Sequence, residues 1–283
     1  MIIKSVEDLV RLASDTTEPW KKTFFRGTSS TQYDPVPTAF RPRYKDEKEY
    51  YDEILCAFPL EFRGLTHFEI LEKMRHCQVP NRLLDITSNP LVALYFACES
   101  GDSTDGAIYV YEADERNVCG IQSDRVLMLS CLPCLRRETR DGLFLLASAR
   151  KTQGQFKKYD YAAKRGCLAL FMHEIRREFP AFEREIVPLD LLEPLFVMGS
   201  AVDARIAAQK GSFILFPLGD DATRKAQAKR LYAEKWIIPK KDKKEIRRVL
   251  KILGIDASTV YPDIERRALV TMESYFAIKK LGE

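Results

Sequence analysis

The segment "PLVALYFACES", residues 90–100, constrains the fold most, because its apolar residues would cover nearly every side of a helix. Asn89 can cap this helix, and Pro90 suits its first position, where the missing amide hydrogen costs nothing. A helix that lacks a polar face is stable in a water-soluble domain only when other elements surround it. The chain is therefore predicted to build its core around this helix.

Short β-type segments and amphipathic helical segments alternate around this helix. Thr66 and Glu69 have capping-box spacing, which predicts a helix over 66–77. The apolar spacing over 163–180 also predicts a helix, with His173 on its solvent side. We predict an α+β class with small mixed sheets and surrounding helices. The predicted strands are 23–26, "RLLDIT", "GAIYVYE", "RVLMLSCL", "FEREIVPLDLL", "GSFILFPLG" and "AEKWIIP", and the other predicted helices are 5–13 and 45–58.

The last 45 residues have only helical patterns. Asp242 and Glu245 have capping-box spacing, an apolar stripe follows, and Gly254 is a typical stop signal. No repeat or Gly/Ser linker marks a firm boundary. We predict a core at residues 1–238 and a helical C-terminal extension at 239–283 that packs on it.

Charge and hydropathy exclude some classes of protein. Lys and Arg number 45 against 41 Asp and Glu, and a formal charge of +4 is too small for a polycation that binds nucleic acid with its whole surface. No segment approaches 18 apolar residues, and Glu7 and Asp8 interrupt the N-terminal segment where a signal peptide would be apolar. We expect a cytoplasmic protein without membrane contact.

Seven cysteines, an odd number, argue against a disulfide framework. Cys131 and Cys134 have C-x-x-C spacing, but a structural zinc ion needs two more ligands, and none is near them in sequence. The sequence therefore predicts no metal.

The stretch "TFFRGTSS" ends a buried strand on Arg26, beside Gly27. A guanidinium cannot be neutralised, so it needs either a carboxylate or an anionic ligand. Asp85 is the simplest protein partner, whereas a ligand phosphate would make Arg26 a binding residue. Spacing alone leaves both interpretations open.

A second polar group lies just before the apolar helix. Each member has a structural interpretation, such as a cap or an ion pair, but together they are as consistent with a ligand site. Arg205 and Gln209, four residues apart, could join this site from a later helical turn. The group consists of His76, Arg82, Asp85, Thr87, Ser88 and Asn89.

Two other features have simpler interpretations. Glu183 and Glu185 would share one side of a strand, where they could do acid–base work or lie on a solvated edge. The segment "KKDKKEIRRVLK" places seven cations on one helix, which indicates a solvated face or a nucleic-acid patch.

Several of these segments together resemble the FRG domain family. Phe25, Arg26 and Gly27 match its opening motif, and "RHCQVPNRLLDITSNPLVALYFA" is similar to its middle motif. "ARIAAQKGSF" and "LGIDASTVYPDIE" are similar to its later motifs, so the resemblance runs over about 24–270. At four positions the chain departs from the family, which tends to have Gln, Gly, Thr and Trp where this sequence has Arg75, Gln78, Asn81 and Ile86.

A weaker resemblance links the order of these residues to the ADP-ribosyltransferases. It implies an ADP-ribosyltransferase-like core with NAD as a substrate, in which Arg26 binds the phosphates and Thr87 with Ser88 orients the nicotinamide ribose. Gln209 or Glu185 would then occupy the catalytic position. His76, Arg82, Asp85, Asn89 and Arg205 are the expected ligand-binding residues.

The resemblance predicts a nucleotide-binding transferase, such as a toxin or a phage-defence effector. Two other classes stay open. One is a non-catalytic interaction module, in which the polar group pins the strand at 82–87 to the first strand. The other is a nucleic-acid-binding protein that uses the basic helix at 240–251.

Overall fold

A computed structural model describes residues 1–15, 20–41, 46–149, 166–199, 204–263, 268 and 272. Its centre is one curled sheet of seven strands in the order β4-β5-β6-β2-β1-β3-β7. Only β4 and β5 pair in parallel. The strands are β1 Lys21–Thr28, β2 Leu83–Thr87, β3 Gly106–Asp114, β4 Val118–Cys119, β5 Leu195–Met198, β6 Gly211–Leu215 and β7 Tyr232–Ile238.

The α+β class predicted from the sequence is confirmed, but the strands form a single sheet rather than several small ones. Strand β2 joins β4, β5 and β6 on one side of the sheet to β1, β3 and β7 on the other. It pairs with β6 along its whole length and with β1 at its end. The β1–β2 register is a single pair, Phe25 with Thr87. This narrow junction brings the opening motif next to the polar group that precedes the apolar helix.

Twelve α-helices surround the sheet in the described parts of the chain. They are α1 Val6–Asp15, α2 Glu47–Ala57, α3 Pro59–Phe62, α4 His67–His76, α5 Pro90–Cys98, α6 Asp124–Ser130, α7 Arg137–Ala149, α8 Cys167–Glu178, α9 Ala204–Ala208, α10 Asp221–Leu231, α11 Lys243–Ile252 and α12 Ala257–Val260.

Helix α5 is the central helix that the sequence predicts. The Asn89 side chain accepts a hydrogen bond from the Leu91 amide at 2.9 Å, and Pro90 follows as the first helical residue. The helix lies directly on β1. A Cβ atom on Gly27 would lie 1.8 Å from the Ala93 carbonyl oxygen, so the glycine is required for this close approach.

Two neighbouring phenylalanines on β1 point to opposite faces of the sheet. Phe24 stacks on Phe196 with ring centroids 5.7 Å apart. Phe25 contacts Trp236 on the face that α1, α5 and α11 cover. Alternation along a strand explains this arrangement, and it leaves the next residue, Arg26, at the β1–β2 junction.

Two predicted strands are wrong. The first six residues of "RVLMLSCL", 125–130, lie in helix α6, whose Val126, Met128 and Leu129 are buried. A short apolar run fits a buried helix as well as a strand, so its pattern could not decide. The segment "FEREIVPLDLL" has no strand and ends in a 3-10 turn, Pro188–Leu191, since proline cannot donate to a sheet.

The predicted C-terminal helix forms as α11. Its apolar stripe, including Ile246 and Leu250, packs in the same cluster as α5, and Gly254 ends it at a φ of 77°. Asp242 precedes the helix but its side chain makes no capping hydrogen bond, so the predicted capping box is wrong. The division at residue 238 stays a prediction. No helix in the described ranges is long and apolar enough to cross a membrane.

Candidate functional site

A cavity of about 440 Å³ lies at the junction of β1, β2 and β6, with α4 and α9 on its sides. Six of the ten residues predicted from the sequence for a site line it. They are Arg26, His76, Asp85, Thr87, Arg205 and Gln209.

Arg26 lies on the wall of this cavity with 18% of its side chain exposed. Its Nη1 donates to the Asp85 carbonyl oxygen at 2.6 Å and lies 3.6 Å from the Asp85 carboxylate. Its Nε is buried and has no hydrogen-bond partner among the described residues. Burial lowers the pKa of Arg26, although Asp85 opposes this effect. The guanidinium therefore has donor capacity that the protein does not use.

Asp85 is bound more closely by a residue that the sequence analysis did not select. The Arg75 Nε lies 2.8 and 3.0 Å from the two carboxylate oxygens, and its Nη2 also donates to the carboxylate. Burial alone would raise the pKa of Asp85. The guanidinium groups of Arg75, Arg26 and Arg205 outweigh that effect and lower the pKa to about 2.

The far wall of the cavity combines aromatic rings with another cation. The Arg205 guanidinium lies 5.0 Å from the centre of the Tyr261 ring, which makes an edge contact with Phe96. His76 lines the same space, and its Nε2 lies 3.6 Å from the Asp263 carboxylate. Aromatic faces beside guanidinium groups suit a planar ligand with negative charge.

The protein itself uses the two other predicted lining residues. The Thr87 hydroxyl donates to the Gln209 carbonyl oxygen at 2.6 Å and accepts from the Asn89 amide at 3.0 Å. The Gln209 side chain donates to the Val260 carbonyl oxygen at 3.0 Å. These bonds connect β2 to α9 and α12, and they give both residues a structural role at the cavity wall.

Four predicted residues lie outside the lining of the cavity. Ser88 is exposed, and Asn89 caps α5. Glu185 is also exposed, in the segment before the 3-10 turn at Pro188–Leu191. Arg82 is fully buried and bound to Glu47 on α2, with its Nη1 donating to the Phe216 carbonyl oxygen. A guanidinium in the core needs such a partner, so Arg82 has its donors occupied within the protein.

Sequence reasoning missed two charged residues of the lining and the aromatic residue Tyr261. Arg75 and Glu72 lie on α4, where charged residues at helical spacing are typical of a solvated face. Tyr261 follows α12 and is 174 residues beyond Thr87, the last residue of β2, so spacing could not connect them. The one available signal was Arg75 itself, since it departs from the family pattern directly beside His76.

The basic helix α11 is less available than its sequence predicts. Lys243 is buried and donates to the carbonyl oxygens of Ser29, Ser100 and Gly101 at 2.8 to 3.0 Å. Arg247 makes a two-point ion pair with Asp102 at 2.6 and 3.0 Å. Arg248 likewise pairs with Glu245. The prediction that Lys243 covers the outer face is wrong, because its side chain is buried and its ammonium group donates to these carbonyls.

Comparison with known proteins identifies one family. Residues 21–106 match the FRG domain, a segment that includes β1, α4, β2 and α5 and therefore Arg26, Arg75, His76 and Asp85. No curated protein and no solved structure matches the chain.

Proposed function

The chain carries an FRG domain, and from this premise we propose that the cavity beside Arg26 binds a nucleotide or a closely related ligand with an anionic phosphate. The Arg26 guanidinium is the observation that carries the proposal, because it lines the cavity while its Nη1 donates to a main-chain carbonyl and lies 3.6 Å from the Asp85 carboxylate.

Charge supports an anionic ligand. Three guanidinium groups, those of Arg26, Arg75 and Arg205, line the cavity against two carboxylates, Asp85 and Glu72. Arg75 and Asp85 largely satisfy each other. Arg26 then contributes positive charge to the rest of the space, where guanidinium forks bind phosphate well.

The aromatic wall supports a ligand with a planar ring. Tyr261 and Phe96 form an edge-to-face pair, and Phe25 and Phe213 also line the cavity. A nucleobase or a nicotinamide ring could pack there while its phosphate reaches Arg26. NAD, which joins two aromatic groups through a diphosphate, is the first ligand to test.

ADP-ribosyl transfer is the finer proposal, and it needs more than binding. The reaction passes through a cation-like sugar, which a nearby carboxylate stabilises. Gln209 is neutral, and the Asp85 carboxylate is held by Arg75. Glu72 is the remaining carboxylate of the lining. We therefore propose nucleotide binding as the principal function, and the variant Glu72→Gln tests whether this carboxylate takes part in a transfer step.

Isothermal titration with NAD, ADP-ribose and ATP tests binding. Arg26→Ala is expected to weaken the affinity about 10- to 100-fold, because one charge-assisted contact is lost. Arg11→Ala, at a side chain 75% exposed on α1, is the control and should bind like wild type. Arg205→Ala is a second test that leaves the β1–β2 junction intact.

The outcomes separate binding from catalysis. Equal affinity in wild type and in both cavity variants, or no binding of any of the three ligands, would overturn the proposal. Release of nicotinamide from NAD that Glu72→Gln removes, without loss of NAD affinity, would support the transfer step. Binding without release of nicotinamide would limit the function to ligand recognition.

A non-catalytic interaction module is the second candidate, and the bonds of Thr87 favour it. Hydrogen bonds link Thr87 to Gln209 and Gln209 to Val260, and they stabilise the fold without a ligand. If the module is the whole function, Arg26→Ala should lower the free energy of unfolding, and none of the three ligands should raise the melting temperature of the wild-type protein.

A further inference from the structure

A second cluster of chemically reactive side chains lies apart from the cavity, among α2, α4, α6 and α8. His67 is the first residue of α4, and Glu178 is the last residue of α8. Cys131 follows α6 directly, and Cys134 ends the next 3-10 turn. Three helix ends thus converge on one point, and none of these four residues lines the cavity.

Short distances join the members of this cluster. The ligand atoms of His67, Cys131 and Glu178 all lie within 4.8 Å of one another. Nε2 of His67 is the nitrogen that faces the cluster, with the Glu178 carboxylate 3.6 Å and the Cys134 sulfur 3.9 Å from it. Ligand atoms around a tetrahedral zinc ion lie about 3.3 to 3.8 Å apart, given Zn–N of about 2.0 Å and Zn–S of about 2.3 Å. A contraction of up to about 1 Å would bring the ligand atoms of His67, Cys131 and Glu178 to that geometry, with Cys134 beside them as the fourth donor.

We infer that His67, Cys131, Cys134 and Glu178 form a structural zinc site. Two sulfur ligands, one imidazole and one carboxylate match the donor types that zinc selects, and the C-x-x-C turn supplies two of them from one short segment. The sequence predicted no metal because the two further ligands are separated from this turn by 64 and 44 residues in the chain. The fold brings them together.

The surroundings of the cluster suit a closed structural ion rather than a catalytic one. Cys131 is fully buried, and the side chains of His67 and Glu178 are 18% and 19% exposed. Glu178 also accepts a hydrogen bond from the His67 amide at 2.7 Å, and the Tyr51 hydroxyl lies 3.0 Å from Nδ1 of His67. Such contacts to the ligands fix their orientation.

A zinc ion here would connect α4, α6 and α8, which pack around the same core cluster. Without metal, two thiols, an imidazole and a carboxylate share one largely buried space. Metal binding would displace both thiol protons and form four bonds, so its free energy would contribute to folding.

Metal content is the direct test. Full-length protein, purified without a metal-affinity tag, is expected to contain one zinc ion per chain by mass spectrometry of the elements. Demetallated protein titrated with Co²⁺ should develop the intense visible bands of tetrahedral cobalt and a thiolate charge-transfer band. Its melting temperature should rise when zinc is restored.

Variants locate the site. Cys134→Ser and His67→Gln should lose the zinc and the cobalt spectrum. Cys56→Ser removes an exposed thiol, and Cys98→Ser places serine in a different buried cluster, so both should keep the ion. If a cluster variant does not fold, the cobalt titration of demetallated wild type still decides. Absence of a thiolate–cobalt band, a Cys131–Cys134 disulfide in the purified protein, or equal zinc loss in Cys56→Ser would overturn the proposal.

Discussion

Arg75, rather than Arg26, holds the Asp85 carboxylate. The Arg75 Nε lies 2.8 Å from the nearer carboxylate oxygen, whereas the Arg26 Nη1 lies 3.6 Å from it and donates to the main chain instead. The arginine at the end of this buried strand is therefore only partly satisfied by the protein. Asp85 places negative charge near Arg26, but Arg75 occupies the hydrogen-bonding positions of the Asp85 carboxylate. The Arg26 guanidinium is therefore left able to bind a ligand.

The Asp85–Arg75 pair is expected to make stability depend on acid pH. The folded-state pKa of Asp85 is about 2, below an unfolded value of about 3.9. The carboxylate's contribution is thus fully present above about pH 4 and is lost as pH falls through about 2. Urea unfolding at several pH values should show that wild type loses its advantage over Asp85→Asn in this window.

A double-mutant cycle assigns that effect to its cause. In an Arg75→Met background, Asp85→Asn should change the pH dependence less, because the closest guanidinium is gone. A difference between wild type and Asp85→Asn that stays constant from pH 6 to pH 2 would contradict the assignment.

The buried ion pair of Arg82 and Glu47 is expected to be costly to break from one side. Both side chains are buried, and Glu47→Gln would leave the Arg82 guanidinium without its carboxylate. We expect the free energy of unfolding to fall by about 3–5 kcal/mol. Glu47→Gln combined with Arg82→Met should recover part of the loss, since it removes the unpaired charge.

Chemical denaturation measures both variants of this pair. Glu245→Gln, which breaks the exposed pair with Arg248, is the control and should change stability little. An equal effect of Glu47→Gln and Glu245→Gln would show that the buried pair has no special role.

Gly27 is expected to be intolerant of even one methyl group. Its Cβ would meet the Ala93 carbonyl oxygen at 1.8 Å and the Ala97 nitrogen at 2.8 Å, both in the main chain of α5. The helix would have to move from β1, at a cost of at least about 1–3 kcal/mol. Gly120→Ala, where nothing lies within 4 Å of the new atom, is the control for thermal unfolding. Equal melting temperatures of the two variants would contradict the close-packing explanation.

Local signals predicted much of the fold, and they failed where tertiary contacts decide. Asn89 and Pro90 start α5 as their residue types predict, because capping depends on neighbours in sequence. Helix α6 was mistaken for a strand, since its apolar run has no period that distinguishes the two. The sequence pattern also predicted Lys243 on a solvated face. In the structure its ammonium group instead donates to three carbonyl oxygens that are distant in sequence.

The candidate site was also predictable only in part, because local signals identify some of its residues and tertiary contacts determine the others. Arg26 and Asp85 were identified because charge at the end of a buried strand needs an explanation. Arg75 was missed, because its helix looks solvated until β2 packs beside it. Arg82 was assigned to the ligand, although its partner Glu47 begins a helix 35 residues earlier. The order of the strands in the sheet determines which charged side chains form ion pairs, and the sequence alone does not reveal that order.

Gln78 is expected to limit the stability of the α4 terminus. Its φ of 62° lies in the left-handed region, which glycine adopts without strain, and the FRG family tends to have glycine at this position. The Val79 amide donates to the Met74 carbonyl oxygen at 2.8 Å across the turn, a hydrogen bond that requires this conformation. Gln78→Gly should therefore raise the free energy of unfolding by about 0.5–1 kcal/mol.

Gln78→Ala separates backbone strain from the loss of a side chain. Alanine keeps the strain and, like glycine, removes the amide that lines the cavity. Only the glycine variant should be more stable than wild type in urea unfolding, because relief of strain at φ 62° is the sole gain. Two equally stabilised variants would trace the effect to the amide side chain. Ligand affinity, measured on the same pair, should change equally in both, since both remove the same lining group.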